Sequence, residues 1–281
     1  MEERWGEGKF FRILGLRHNC IPIKVLCMNI NWDAELYRKK FFFVPEYGEA
    51  VLGLLNLKKG DRVIDLGCGN GSLTQKLADM GADVLGIDAS AEMIALAKKT
   101  HPNLPFERAD ALEFSANPPA DAVFSNAVFH WIDAKDHPLL LSRVNRALRP
   151  GGVLACEFGG KGNNVAIHAA LKKIFAERGF EYECPFYFPS IGEYAPLLER
   201  AGFKVEFASL FDRPTEQAGE DVLANWIRMF DKVPFEGIPA READEIMEEA
   251  ARQLEGKLKR GGKWFADYVR IRIKASKEFE V

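Results

Sequence analysis

The chain has 281 residues, 47% hydrophobic and 28% charged, with a formal net charge of −3, which suits one large α/β domain with an elaboration. That charge offers no field to draw in nucleic acid, and no apolar run reaches bilayer-spanning length. Glu2 and Glu3 head an N-terminus without a secretory pattern, and five scattered cysteines with no C-x-x-C suit reduced thiols in the cytoplasm. The histidines do not cluster with those cysteines at ligand spacing, so no metal site is expected.

Residues 1–27 are apolar in places (Trp5, Phe10, Phe11) but poorly periodic, and Pro22 interrupts them. Two readings stand: an extension packed on the domain, or an upstream start with Met28 the natural one. Residues 29–57 read as helical, with Leu36, Tyr37, Tyr47, Ala50, Val51, Leu54 and Leu55 on the apolar face. Strands are expected at 62–66, 83–88, 104–107, 121–125 and 152–158. Between them, Leu73, Leu77 and Met80 face inward on one helix, which Gly81 stops. Ser90 caps the next helix, with Met93, Leu96 and Ala97 inside. Pro138 opens a helix carrying Leu140, Leu141, Val144 and Leu148. Helices over 164–178 and 190–201 precede a strand at 203–211. Helices over 219–231 and 240–260 then lead to a last strand at 264–274. The alternation predicts a doubly wound parallel sheet: a core over 28–213, a helical insertion over 214–261 folded over the cleft as a cap, and a last strand and tail over 262–281.

The most informative stretch is Val63-Ile64-Asp65-Leu66-Gly67-Cys68-Gly69-Asn70-Gly71. An apolar strand ends in an acid, and glycines at alternate positions lead straight into a helix. Glycine lets backbone turn sharply and approach a ligand, and the helix N-terminus adds free N–H groups. Asp88 ends the next strand about twenty residues on, where a nucleotide fold places the acid that grips ribose hydroxyls. A dinucleotide fingerprint spaces its third glycine one position later. That difference disfavours the alternative of an NAD(P)-dependent oxidoreductase; a non-catalytic, cofactor-binding regulatory domain is the other alternative.

These stretches resemble the class I S-adenosylmethionine-dependent methyltransferases. Asp65–Gly71 matches the family's glycine motif, Gly86–Met93 its second motif and Ala109-Asp110-Ala111 its adenine-side motif. Residues 121–127 and 148–152 are similar to its fourth strand and the start of its fifth. The resemblance runs from about Trp32 to the C-terminus and is nearest the small-molecule branch that includes trans-aconitate methyltransferase. It implies a Rossmann-like, mostly parallel, seven-stranded sheet with its last strand antiparallel. It also implies S-adenosyl-L-methionine held by Asp65, Gly67, Cys68, Gly69, Asp88, Ala89, Met93, Asp110, Ala111 and Asn126, and a small-molecule acceptor.

A sulfonium donor arrives activated, so orientation supplies much of the acceleration, and a base is needed only for a protonated nucleophile. His130, just beyond the fourth strand, is the candidate base or a structural histidine. Tyr37, Phe42, Tyr47, Trp131, Glu157, Tyr187 and Trp226 are candidate acceptor-pocket residues. Glu157 orients the acceptor or pairs with an arginine, and the loop Gly159–Asn164 offers Lys161 as an anion binder. Relatives often carry His-Ser-Phe where this chain has Phe41-Phe42-Phe43, which hints at a more apolar pocket.

Overall fold

The alternating apolar and amphipathic segments build one open sheet with helices on both faces. The computed structural model describes residues 43–218 and 221–279, with side chains from Gly48 onward. In chain order these are α1 (Phe43–Leu52), β1 (Arg62–Leu66), α2 (Ser72–Asp79), β2 (Asp83–Asp88), α3 (Ala91–Thr100), β3 (Phe106–Arg108) and β4 (Ala120–Asn126). Two short 3₁₀ turns precede α4 (His137–Ala147) and β5 (Leu148–Gly159). Then come α5 (Val165–Glu177), α6 (Ile191–Arg200), β6 (Phe203–Gln217), α7 (Val222–Phe230), α8 (Ala240–Leu258), β7 (Lys259–Arg260) and β8 (Lys263–Lys277).

The sheet order is β3-β2-β1-β4-β5-β8-β6, with two-residue β7 paired to β8. Strands β1 to β5 run parallel, and β8 lies antiparallel between β5 and β6. Strand order reverses between β1 and β4, and the crevice beyond the carboxyl ends there is where open α/β sheets bind ligands.

One face is covered by Val51, Leu52 and Leu55 after and within α1 and by Leu73 and Leu77 of α2, packed on Val63, Phe124 and Ala155. The other carries α4 and α6, with Leu140, Leu141, Tyr194 and Leu198 against Leu66, Phe158 and Ile271. A third cluster joins α5 to α7 and α8 through Ile174 and Phe175 with Trp226, Phe230, Ile246 and Ala250. The helices between β6 and β8 thus rest on α5.

Several boundaries move. β6 pairs with β8 as far as Gln217↔Trp264, so residues 214–217 belong to the sheet and the inserted helices begin at Val222. Leu148 opens β5 instead of closing α4. β3 is Phe106–Arg108, two residues later than its apolar run suggests. Inside α3 the buried residues are Met93, Ile94 and Ala97, while Leu96 is only half-buried. Ala50 and Met80 are exposed, the latter 45%. Residues 1–27, Tyr37 and Phe42 lie outside the described residues, as does the side chain of Tyr47.

Candidate active site

The β1–α2 turn has the shape its glycines require. Gly67, Gly69 and Gly71 all adopt left-handed φ values of 78°, 53° and 82°. Backbone N–H groups of Gly67 and Cys68 donate to Ile87 O at 2.7 and 2.9 Å, which ties the turn to the end of β2. A Cβ on Gly67 would sit 2.1 Å from Val128 Cγ2, so the β4 loop packs directly on the turn. A Cβ on Gly69 would meet nothing within 4 Å. That open side is room for a ligand against bare backbone.

Two acids flank this space. Asp88 Oδ2 accepts from Gly69 N at 2.9 Å, and Oδ1 accepts from Ser90 N at 2.8 Å. Each oxygen keeps a second lone pair for ligand hydroxyls. Burial raises the Asp88 pKa, and those two N–H groups pull it back. Asp65 is 1% exposed, and Thr74 Oγ1 donates to its Oδ2 at 2.6 Å. Burial pushes its pKa up to about 7, opposed by the Thr74 bond and aided by the Asp88 charge. Ala109 N donates to Asp88 O at 3.1 Å, so Asp110 and Ala111 follow at the same rim. Asp110 is exposed and accepts from Leu112 N at 2.8 Å. Cys68 is buried against Ile94, Ala97 and Phe106, Met93 is 3% exposed on the inner face of α3, and Ala89 is half-buried beside Asp88.

Beyond β4, Asn126 lies beside Gly48 of α1, and Ala127 takes φ 62°, a conformation that non-glycine residues hold chiefly at functional sites. Ala127 N donates to Glu157 O at 2.7 Å. A pocket opens here, lined by Ala127, His130, Trp131, Asn163, Asn164, Phe186, Phe188, Trp226, Phe230, Tyr268 and Arg270. Its Arg270, 9% exposed, lies 4.4 Å over the Tyr268 ring. Val128 packs on Gly67 while Ala127 and His130 line the pocket, so one loop borders both the glycine turn and the pocket.

His130 is buried, and Gly159 N donates to its Nδ1 at 3.2 Å. The neutral ring therefore carries its proton on Nε2. Burial, then the charges of Arg270 and His137, hold its pKa well below 6.5. Such a ring offers Nε2–H as a hydrogen-bond donor.

Other expectations also change. Glu157 is 2% exposed, and its carboxylate is taken by Arg213 and by Arg272 Nε at 2.7 Å, so it pairs with arginines instead of orienting an acceptor. Tyr187 stacks edge-on against His137 with ring centroids 4.7 Å apart. Phe186 and Phe188 line the pocket with their rings stacked at 5.4 Å, while Tyr187 packs against the core. Lys161 is exposed outside the pocket, and the cation inside is Arg270. In the sequence Arg270 stands between Val269 and Ile271, and nothing local marks it as a pocket residue. Among the described residues no group of three or more His, Cys, Asp or Glu is placed to hold a metal ion. None of the described helices is long and apolar enough to cross a membrane.

Residues 63–152 match the methyltransferase domain family. An uncharacterized methyltransferase of Schizosaccharomyces pombe is 34% identical over 260 residues, covering 88% of this chain and 98% of that protein. The chain belongs to the S-adenosylmethionine-dependent methyltransferases. It is a class I methyltransferase whose cofactor is S-adenosyl-L-methionine. The methyltransferase is also similar to a trans-aconitate 2-methyltransferase of Variovorax paradoxus, 28% identical over 262 residues, covering 89% of this chain and 99% of the relative. A solved Haemonchus contortus N-methyltransferase in complex with S-adenosylhomocysteine shares its fold at TM-score 0.55 and 20% identity, covering 88% of this chain and 57% of that one.

Proposed function

We propose that this methyltransferase moves the methyl group to a carboxylate oxygen of a small organic acid. The observation that carries the reading is a buried arginine, Arg270, inside an aromatic pocket that adjoins the glycine turn. A guanidinium binds a carboxylate through paired donors, and rings such as Trp131, Trp226 and Phe186 shield that pair from water and pack on the acid's carbon frame. The name of the Variovorax relative, a trans-aconitate 2-methyltransferase, supports the same acceptor class.

The cofactor supplies an activated methyl on a sulfonium. Residues of the chain hold and orient the reactants. Asp88 receives the ribose hydroxyls, Gly67 and Gly69 let the backbone close on the cofactor, and Asp65 faces its cationic end. Asp110 and Ala111 lie toward the adenine, with Cys68, Ala89, Met93 and Asn126 completing the walls. His130 donates from Nε2 to the acid and keeps the attacking carboxylate in place. A carboxylate at neutral pH has no proton to lose, so this route needs no base, in keeping with the low basicity of His130. Helices α7 and α8 act as a cap, with Trp226 and Phe230 as its inner face.

The test is transfer of a labelled methyl group to a panel of di- and tricarboxylic acids, amines and phenols. The expected product is an ester that mild alkali cleaves; an alkali-stable methylated amine or ether overturns the reading.

The raised pKa of Asp65 gives a pH prediction. Its folded pKa of about 7 lies above the ordinary value of 3.8, so folding favours the protonated form, and this contribution to stability is lost as pH rises through 7. A cationic ligand prefers the ionised form. Cofactor affinity measured calorimetrically should therefore rise from pH 6 to 7.5, and Asp65→Asn should flatten that rise. An unchanged slope in Asp65→Asn would assign the pH dependence elsewhere.

A further inference from the structure

Among the described residues, buried side-chain atoms without a partner concentrate around one helix. They are His101 Nε2, and then Asn164 Oδ1, His168 Nε2, Asp231 Oδ1 and Asp267 Oδ1. The last four lie on or against the first turns of α5. Asp267 Oδ2 accepts from Ala166 N at 2.8 Å, and Asp231 Oδ2 lies 3.5 Å from His168 Nδ1. A folded protein leaves few such groups unpaired, because each gives up its bonds to water. Their grouping beside a pocket calls for a ligand.

Asn164 is 2% exposed and lines the pocket together with Arg270 and His130. Its neighbour Asn163 is committed to the fold, accepting from Val269 N at 3.0 Å. His168 sits one helical turn on from Asn164, and its N–H donates to Asn164 O at 3.0 Å. Its ring packs against Phe186, Phe188 and Trp226, three pocket walls, at centroid distances of 5.7, 5.9 and 6.2 Å. On its far edge, Nδ1 lies 2.6 Å from Tyr182 Oη, which in turn donates to Asp231 Oδ2 at 2.6 Å. Burial lowers the basicity of His168, but Asp231 and Cys184 outweigh it and raise the pKa to about 9. Nε2 therefore carries a proton. The helix thus offers one unused acceptor and one unused donor beside the acceptor pocket.

We propose that Asn164 and His168 form a subsite that reads a hydroxyl group on the acceptor, Asn164 Oδ1 accepting its proton and His168 Nε2 donating to its oxygen. A hydroxyl both donates and accepts, which matches this pair. An ammonium group would meet the like charges of Arg270 and His168. The acceptor is then a hydroxy-carboxylic acid, an inference that rests on the carboxylate reading above.

The probes are citrate and tricarballylate, which differ by one hydroxyl, titrated into the full chain loaded with S-adenosylhomocysteine. Citrate should bind about tenfold tighter, the discrimination expected when a buried polar pair loses its partner. Asn164 has φ 53°, so Asn164→Gly deletes the amide without straining the backbone, and the citrate preference should fall to about one. Asn164→Asp keeps an acceptor atom and should restore the preference, although both acids bind more weakly. A purely structural role for Asn164 would leave the ratio untouched. No preference in the unaltered protein, or a preference that survives Asn164→Gly, overturns the subsite while the carboxylate reading stands. If neither acid binds, both fall.

Discussion

Asp88→Ala lowers affinity for S-adenosylhomocysteine at least tenfold. The carboxylate is held in place by Gly69 N and Ser90 N, and each oxygen still has a lone pair for a ribose hydroxyl. Hydrogen bonds to a charged group contribute roughly 1.5–3 kcal/mol each, so losing even one reaches tenfold. Calorimetric titration reads the change directly, and a variant that binds as tightly as the unaltered protein removes Asp88 from the site. Gly69→Val should be worse. Gly69 has φ 53° with open space where a side chain would stand, so valine is strained there and fills the cofactor's volume.

Arg270→Met abolishes most acceptor turnover while cofactor affinity stays nearly unchanged. Methionine keeps an unbranched apolar stem over Tyr268 and removes only the charge and its donors. Truncating a buried charge that pairs with a ligand costs about 2–5 kcal/mol, so acceptor kcat/KM should fall by at least thirtyfold, roughly. Trp226→Ala should show the same split for a different reason. Its ring walls the pocket, and its Nε1–H donates to Tyr268 Oη at 2.8 Å, beneath the guanidinium. Equal loss of cofactor and acceptor binding in both variants would mean that these residues serve only the core and that the cap does not set specificity.

The glycine turn and the acid beside it were legible in the chain because they are local. Strand, glycine turn and helix lie within residues 63–80, and alternate glycines leave few backbone paths. Asp88 follows at the end of the next strand, so its place needs only the pairing of β1 with β2. The acceptor pocket is assembled differently. Its walls come from the β4 loop, the start of α5, the segment around Phe186, α7 and β8. No periodicity links those segments. Phe186, Tyr187 and Phe188 are all aromatic, so their residue types do not tell which of them enter, and the packing of the segment puts Phe186 and Phe188 in the pocket.

The sequence by itself determined the α/β class, the alternation of strands and helices and the methyl donor, since short-range pattern and backbone sterics suffice for those. Tertiary structure alone decided three things. It paired Glu157 with Arg213 and Arg272 across β5, β8 and β6, a choice between partners 56 and 115 residues distant that only sheet order makes. It gave His130 a backbone donor at Nδ1 and a cationic neighbour, which lower the basicity of its ring. And it brought Arg270 inside. An arginine on an alternating strand reads as solvent-facing until a helical insertion closes over that face, because burial belongs to the packed layers and not to the strand.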